Sequence, residues 1–235
     1  MFNVFLVGHL LIVALDTIRD QRCEDSLKKI VEEVSPHVSG FKVGLSLLLE
    51  NGLEAISKVK RFSEREVIAD LKLADIGDIM VSTLKLLAGV GVDAVIAHGF
   101  VGVSNALDKL VFEAEKHDVN VILVVSMSHR GSEKYIDKHF EELLQDAVQL
   151  GVHGVVIPAT KPHLITRARG VLGERVYIYS PGVGVQGARP GDALCAGADY
   201  EIIGRLITTS PDPSSAARTV KHIQLERVRE CRGFL

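Results

Sequence analysis

What most limits how this chain can fold is an alternation that runs its whole length. Short apolar runs rich in Val, Ile, Leu and Ala recur at 10–15, 41–43, 66–71, 94–97, 121–125, 154–157, 176–179 and 200–203. Between them lie stretches of mixed polarity suited to helices, at 20–34, 46–60, 78–90, 104–117, 133–150, 163–171, near Asp192 and at 213–231. Strands without polar alternation are buried on both faces, and strands separated by helices run parallel through right-handed crossovers. Eight such units in 235 residues predict one α/β domain over 1–235, a closed (β/α)8 TIM barrel. The competing arrangement is an open, doubly wound sheet. The polar residues favour the barrel. Asp16, Lys42, Asp70, Lys72, His98, Ser128, Thr160, Ser180 and Arg205 all fall at or just past the C-terminal end of a strand. A barrel gathers those ends around one pocket, whereas an open sheet spreads them along an edge.

The third run ends in Val67-Ile-Ala-Asp70-Leu-Lys72-Leu-Ala-Asp75-Ile76-Gly77. Strand alternation points Asp70 and Lys72 the same way, with Asp75 just beyond. An unpaired buried carboxylate or ammonium is costly, so such charges persist when paired with each other or with a ligand. Taken alone, the pattern suits a structural ion pair as well as a catalytic group. After the seventh run comes Ser180-Pro181-Gly182-Val183-Gly184-Val185-Gln186-Gly187-Ala-Arg189-Pro-Gly191, and Gly204-Arg205 closes the eighth. Barrels hold phosphate at these two places. Glycines let backbone N–H groups approach an anion, and Arg205 offers a permanently charged fork. The spacing is not that of a dinucleotide or P-loop site, so the phosphate reading rests on position. A plain surface loop is the alternative; the reading preferred is a loop that closes over ligand, with Gln186 bridging phosphate and the rest of the substrate.

Net charge is −3, which gives no basic footprint for nucleic acid, and the runs Lys58-Val-Lys60-Arg61 and Arg227-Val-Arg229 read as solvated helix faces. Cys23, Cys195 and Cys231 lack the spacing of a zinc site or a disulfide framework, which suits a reducing cytoplasm. The apolar stretch 2–15 has no basic start and is too short to span a bilayer, so it reads as the first strand with a lead-in, with no membrane role. His9, His37, His117, His139 and His222 read as surface residues, Tyr177 and Tyr179 as strand residues. His98 reads as a packed residue shaping the pocket floor rather than a titrating catalyst.

With these pieces in order, the chain resembles the orotidine 5′-monophosphate decarboxylases, particularly the short archaeal type, from Leu11 through Pro211. The resemblance is carried by Ala14-Leu-Asp16, Phe41-Lys42-Val-Gly44, Ala69-Asp70-Leu-Lys72-Leu-Ala-Asp75-Ile76, Met127-Ser128-His129, and Pro181-Gly-Val-Gly-Val-Gln186-Gly with Gly204-Arg205; His98-Gly-Phe100 also fits. It implies a cofactor-free, metal-free decarboxylase making uridine 5′-monophosphate. Lys72 would protonate C6 of the pyrimidine, Asp70 would lie beside the substrate carboxylate, and Lys42 and Asp75 would complete an alternating charge network. Asp75 and Ile76 would reach into the site of a partner subunit in a homodimer. Asp16 and Lys42 would hold ribose hydroxyls and Ser128 the pyrimidine edge. Gln186, Gly204 and Arg205 would hold the phosphate, beside Pro181, Gly182, Val183, Gly184 and Gly187.

Three positions depart from the family pattern. Gly77 stands where many members have Pro, Ile79-Met80 where a ribose-binding Thr is expected, and Arg130 where Pro commonly follows Met-Ser-His. The nearest rival is the sister group of metal-dependent sugar-phosphate decarboxylases and synthases, which carries a magnesium-binding Glu at the place of Lys42; a Lys there repels a divalent cation. A silent nucleotide-binding barrel and a Schiff-base aldolase using Lys72 are the other readings. Adjacent buried charges weigh against the first, and carboxylates that hold Lys72 as an ammonium against the second.

Overall fold

Each apolar run becomes a strand because both of its faces find apolar partners. The computed structural model describes residues 10–16 and 24–233. Its strands are β1 (Leu11–Ala14), β2 (Gly40–Gly44), β3 (Glu66–Leu73), β4 (Ala94–His98), β5 (Asn120–Val124), β6 (Gly154–Val156), β7 (Tyr177–Pro181) and β8 (Tyr200–Ile203). All pair in parallel in chain order, and β8 pairs with β1, closing the barrel. Around it run α1 (Glu24–Val34), α2 (Leu45–Asn51), α3 (Glu54–Ser63), α4 (Gly77–Gly89), α5 (Asp108–Lys116), α6 (Phe140–Leu150), α7 (Pro162–Leu172), α8 (Asp192–Ala196), α9 (Arg205–Thr208) and α10 (Pro213–Arg232).

Period-two alternation splits the buried residues into two clusters. Leu11, Val13, Phe41, Val43, Val67, Ala69, Val95 and Ala97 face outward and pack with the helices. Ile12, Ala14, Ile68, Ala94, Ile96, Ile122, Val124, Val156, Tyr179 and Ile202 fill the interior. Lys42 and Asp70 share the parity of the interior set, in register beside Ala14 and Gly44. The sheet alone therefore delivers two buried charges to the C-terminal end of an apolar barrel core.

The helices differ from expectation where backbone geometry overrides the polarity pattern. The stretch 46–60 is two helices, because α2 stops at Gly52, whose φ of 70° ends it and whose N–H donates to Leu48 O at 2.8 Å. The expected helix at 104–117 starts only at Asp108, after a wide turn in which Ser104 and Asn105 are non-helical. The one at 133–150 starts at Phe140, behind short 3₁₀ turns at Arg130–Lys134 and Asp137–His139. Tyr177 and Tyr179 are β7 residues, as expected.

The cysteine reading needs correction. Cys195 of α8 and Cys231 of α10 form a disulfide, with Cα atoms 5.8 Å apart and a sequence separation of 36. Spacing along the chain could not reveal it, because packing of α10 against α8 brings the two thiols together. Cysteine pattern therefore carries no inference here about a reducing compartment. Cys23 and residues 2–9 of the apolar stretch, His9 among them, lie outside the described residues. Among the described residues, no helix is long and apolar enough to cross a membrane.

Candidate active site

The C-terminal ends of the strands surround a cavity of about 290 Å³. Its floor is apolar, with Ile96, Val124, Val156 and Ile202, and its wall on the β1–β3 side carries Asp16, Lys42, Asp70 and Lys72. Lys42 Nζ lies 2.6 Å from Asp16 Oδ2 and 3.0 Å from Asp70 Oδ2. Lys72 Nζ donates to both Asp70 oxygens, at 2.8 and 2.9 Å. The charges thus alternate carboxylate, ammonium, carboxylate, ammonium. Lys42 and Asp70 are buried, whereas the Lys72 side chain is 39% exposed, leaving its ammonium accessible from the cleft.

Two backbone features make this packing possible. A Cβ on Gly44 would sit 1.8 Å from Asp16 Oδ1, so only glycine lets that carboxylate reach Lys42. Lys72 has φ of +48°, the left-handed region, where the β3–β4 register shifts between Ala69 and Leu73. Such a conformation costs a residue with a Cβ on the order of 1–2 kcal/mol. A bulge of this kind re-aims the side chain that follows it, and here that side chain is an ammonium.

Burial opposes ionisation of Asp70, but the Lys42 and Lys72 ammonium groups outweigh it and hold the carboxyl below its ordinary value. Burial likewise opposes the charge on Lys42, and Asp70 and Asp16 reverse that and raise its pKa. Both groups are charged at neutral pH. His98 is buried at the end of β4, its ring 4.6 Å from that of Phe100. Burial, then Lys72, lower its pKa, so it is a neutral packed residue at pH 7.

Asp75 stands apart from this network. It is exposed, and its Oδ1 accepts a hydrogen bond from Ile76 N at 2.7 Å. Ile76 and Ile79 are 63% and 50% exposed at the start of α4, while Met80 turns inward and is buried. Across the cavity lie Ser128, Pro181, Gly182, Val183, Gln186, Gly204 and Arg205. Gly184 and Gly187 do not line it; they close a small turn, with Gly184 N on Ala188 O and Gly187 N on Gly184 O, both at 2.8 Å. That turn brings Val185 as well as Gln186 to the cleft. Arg205 is the exposed first residue of α9.

Several supporting residues carry no local signal in the sequence. Val185 and Leu206 also line the cavity, as apolar residues that no charge or motif picks out from their neighbours. Glu201, fully buried, accepts hydrogen bonds from Gly191 N at 2.9 Å, Ala193 N at 3.1 Å and Gln224 Nε2 at 2.9 Å, anchoring the end of the β7 loop to α10. Ser126, Ser132, Asp137 and Lys161 form a polar cluster beneath Met127 and Ser128. Its members come from three separate segments, so no motif marks them.

The model of the orotidine 5′-phosphate decarboxylase / HUMPS family matches residues 9–220. The chain belongs to this family. Its relatives include the orotidine 5′-phosphate decarboxylase of Aeropyrum pernix, 44% identical over 212 residues, covering 89% of this chain and 86% of that protein. Among solved structures, the orotidine 5′-monophosphate decarboxylase of Sulfolobus solfataricus superimposes with a TM-score of 0.83 at 35% identity, covering 94% of this chain and 100% of the other. That of Methanocaldococcus jannaschii, in complex with the inhibitor BMP, gives 0.84 at 33% identity, covering 92% and 99%.

One departure from the pattern of the orotidine 5′-monophosphate decarboxylases has a packing cause. A Cβ on Gly77 would lie 2.7 Å from Lys109 Cδ and 2.8 Å from Asn105 O, so proline does not fit where α4 starts against the wide turn before α5. Arg130 is an exposed residue at the start of a 3₁₀ turn. Ile79 shares an exposed apolar surface with Ile76 and leaves no polar group at that place.

Proposed function

We propose that this chain converts orotidine 5′-monophosphate to uridine 5′-monophosphate and carbon dioxide without a cofactor, the last step of pyrimidine nucleotide synthesis. The observation that carries this reading is the alternating Asp16–Lys42–Asp70–Lys72 array facing the cleft. The C6–carboxylate bond breaks, its electron pair stays on C6, and the Lys72 ammonium gives that carbon a proton; the neutral amine then regains one from water. Fixed charges above a dry apolar floor stabilise a developing carbanion without reorganising. Asp70 sits beside the leaving carboxylate and also aims Lys72, to which both of its oxygens are bonded. Asp16 and Lys42 bind ribose hydroxyls, Ser128 the ring edge, and Gln186, Gly204 and Arg205 the phosphate, next to Pro181, Gly182 and Val183, with Gly184 and Gly187 shaping the turn behind them. Phosphate binding far from the ring supplies energy that can be used at C6.

The exposed Asp75, Ile76 and Ile79 suit a homodimer in which Asp75 and Ile76 complete the neighbouring site, in a cytoplasmic enzyme. Lys42 and Lys72 together disfavour a divalent cation in this pocket. The test is the loss of orotate absorbance when purified protein meets orotidine 5′-monophosphate, with and without chelator. Chelator-indifferent loss that Lys72→Ala abolishes is the expected result. Chelator-sensitive loss, or a Lys72→Ala enzyme with near-normal rate, would overturn the assignment.

A further inference from the structure

We propose that Asp137 is a positioning residue that sets the ring-binding end of the cleft by fixing Ser128 from below. The proposal rests on Ser128 contacting the ring, as given above. Ser126, fully buried two residues past the end of β5, donates to Asp137 Oδ1 at 2.7 Å. Ser132, also fully buried, has its Oγ 2.9 Å from Met127 O and 3.1 Å from Asp137 Oδ2. Lys161 Nζ donates to Ser132 Oγ at 2.7 Å and pairs with Asp137. Because Lys161 occupies one lone pair of Ser132, the single hydroxyl proton is directed toward Met127 O or Asp137. The carboxylate therefore ties down the residue before Met127 directly; with the Ser132 proton on Met127 O, the nearer acceptor, it also holds Met127 through Lys161, which pairs with Asp137 and donates to Ser132. Met127 and Ser128 both line the cavity.

The surrounding backbone gives this arrangement its purpose. Residues 130–139 form only short turns ahead of α6, closed by isolated backbone bonds such as Ser132 N to His129 O at 3.1 Å and His139 N to Ile136 O at 3.1 Å, so the side-chain bonds add much of what holds the segment. Asp137 and Lys161 are 13% and 11% exposed, and a buried ion pair of this kind adds little stability over an apolar pair of equal volume. What it does provide is one fixed geometry, and it lies at the rim where substrate binds rather than among the helices. It also reaches the phosphate end: Lys161 lies two residues after Ala159, whose N–H donates to Pro181 O at 2.8 Å at the start of the β7 loop. Supports of this type hold a binding group within a fraction of an ångström of its working position.

The experiment is a double-mutant cycle on the full chain with Asp137→Asn and Ser128→Ala, following kcat and KM for orotidine 5′-monophosphate alongside thermal melting. Asp137→Asn is expected to lower kcat/KM about tenfold, and to add less than about twofold once Ser128 is Ala, because its effect passes through Ser128. Asp137→Glu, which restores the charge, should recover part of the loss. Independent, multiplicative effects would overturn the proposal, as would an Asp137→Asn enzyme that melts earlier yet keeps its kcat/KM. A Ser128→Ala enzyme with normal kcat/KM would show in that single variant that the ring contact itself is misassigned, and the proposal would fall with it. Should Asp137→Asn not fold, Ser126→Ala removes one strut, leaves the Asp137–Lys161 pair in place, and carries the same cycle.

Discussion

Replacing Lys72 by Gly and by Ala separates the strain at this position from the chemistry of its ammonium. Both variants lose the bonds to Asp70 and the proton donor, so neither should turn over substrate. They differ only in backbone and Cβ. At φ of +48° a residue with a Cβ pays on the order of 1–2 kcal/mol that glycine does not. Glycine loses more chain entropy on folding, about 0.5–1 kcal/mol relative to alanine. At their central values the first effect wins by roughly 0.75 kcal/mol, and with about 2–4 °C per kcal/mol for a chain of this size, the Gly variant should melt roughly 1.5–3 °C above the Ala variant. Leu71, the preceding β3 residue without a positive φ, supplies the control: there Leu71→Gly should melt below Leu71→Ala. The reversal of sign between adjacent positions is the signature, read by thermal melting of four purified variants. If Ala at 72 matched or exceeded Gly, the strain at Lys72 would be refuted.

Asp70→Asn should destabilise the protein by about 3 kcal/mol at neutral pH, since two ammonium groups lose their shared carboxylate while Lys42 keeps Asp16. Burial raises the folded-state pKa of Asp70, but the lysines lower it further than burial raises it, so the net shift is downward from 3.8. Its stabilisation is therefore present above that value and lost as pH falls through the depressed one, and the gap between wild type and variant in urea titrations should shrink in acid; a gap that stays constant would contradict the ion-pair account. Cys231→Ser opens a closed loop of 36 residues' separation, a chain-entropy loss of about 4 kcal/mol, or roughly 8–16 °C in melting temperature; an unchanged melting temperature would mean that the disulfide does not form in solution. Arg205→Ala should raise KM about tenfold or more with kcat much less affected, because it removes binding remote from the breaking bond; an unchanged KM would take Arg205 out of the phosphate site.

The barrel could be read from the chain because its strands announce themselves twice, as uninterrupted apolar runs and as places where a polar residue follows the run. The ring of Asp16, Lys42, Asp70, Lys72, Ser128, Gln186 and Arg205 came with it, since closing the sheet leaves those residues nowhere else to go. What escaped was set by contacts between distant segments. The bulge at Lys72 has no Gly, Pro or Asn to mark it, because the register between β3 and β4 imposes it. Cys195 and Cys231 look unrelated until α10 lies on α8. Residues 133–139 have helical polarity, but Asp137 is committed to Ser126, Ser132 and Lys161, and the helix waits until Phe140. Gly77 looks like a lost proline until the approach of Asn105 and Lys109 is seen.

The order of the charges explains how so polar a layer can rest on an apolar core. Two carboxylates and two ammonium groups sum to zero, and each buried member touches a group of opposite sign, so the empty site escapes most of the penalty of isolated buried charge. Under the proposed reaction an incoming substrate carboxylate disturbs that neutrality beside Asp70. The cost falls on the ground state and is relieved as carbon dioxide departs, while Lys72 keeps its attraction for the negative charge that develops at C6. Neutralising Asp70 should therefore have opposing effects, easing binding of the substrate carboxylate while loosening Lys72. For Asp70→Asn the second effect should dominate, because both Asp70 oxygens hold the Lys72 ammonium: kcat should fall by orders of magnitude while KM changes little or drops. A variant that lost affinity in proportion to rate would place Asp70 in ordinary substrate binding instead.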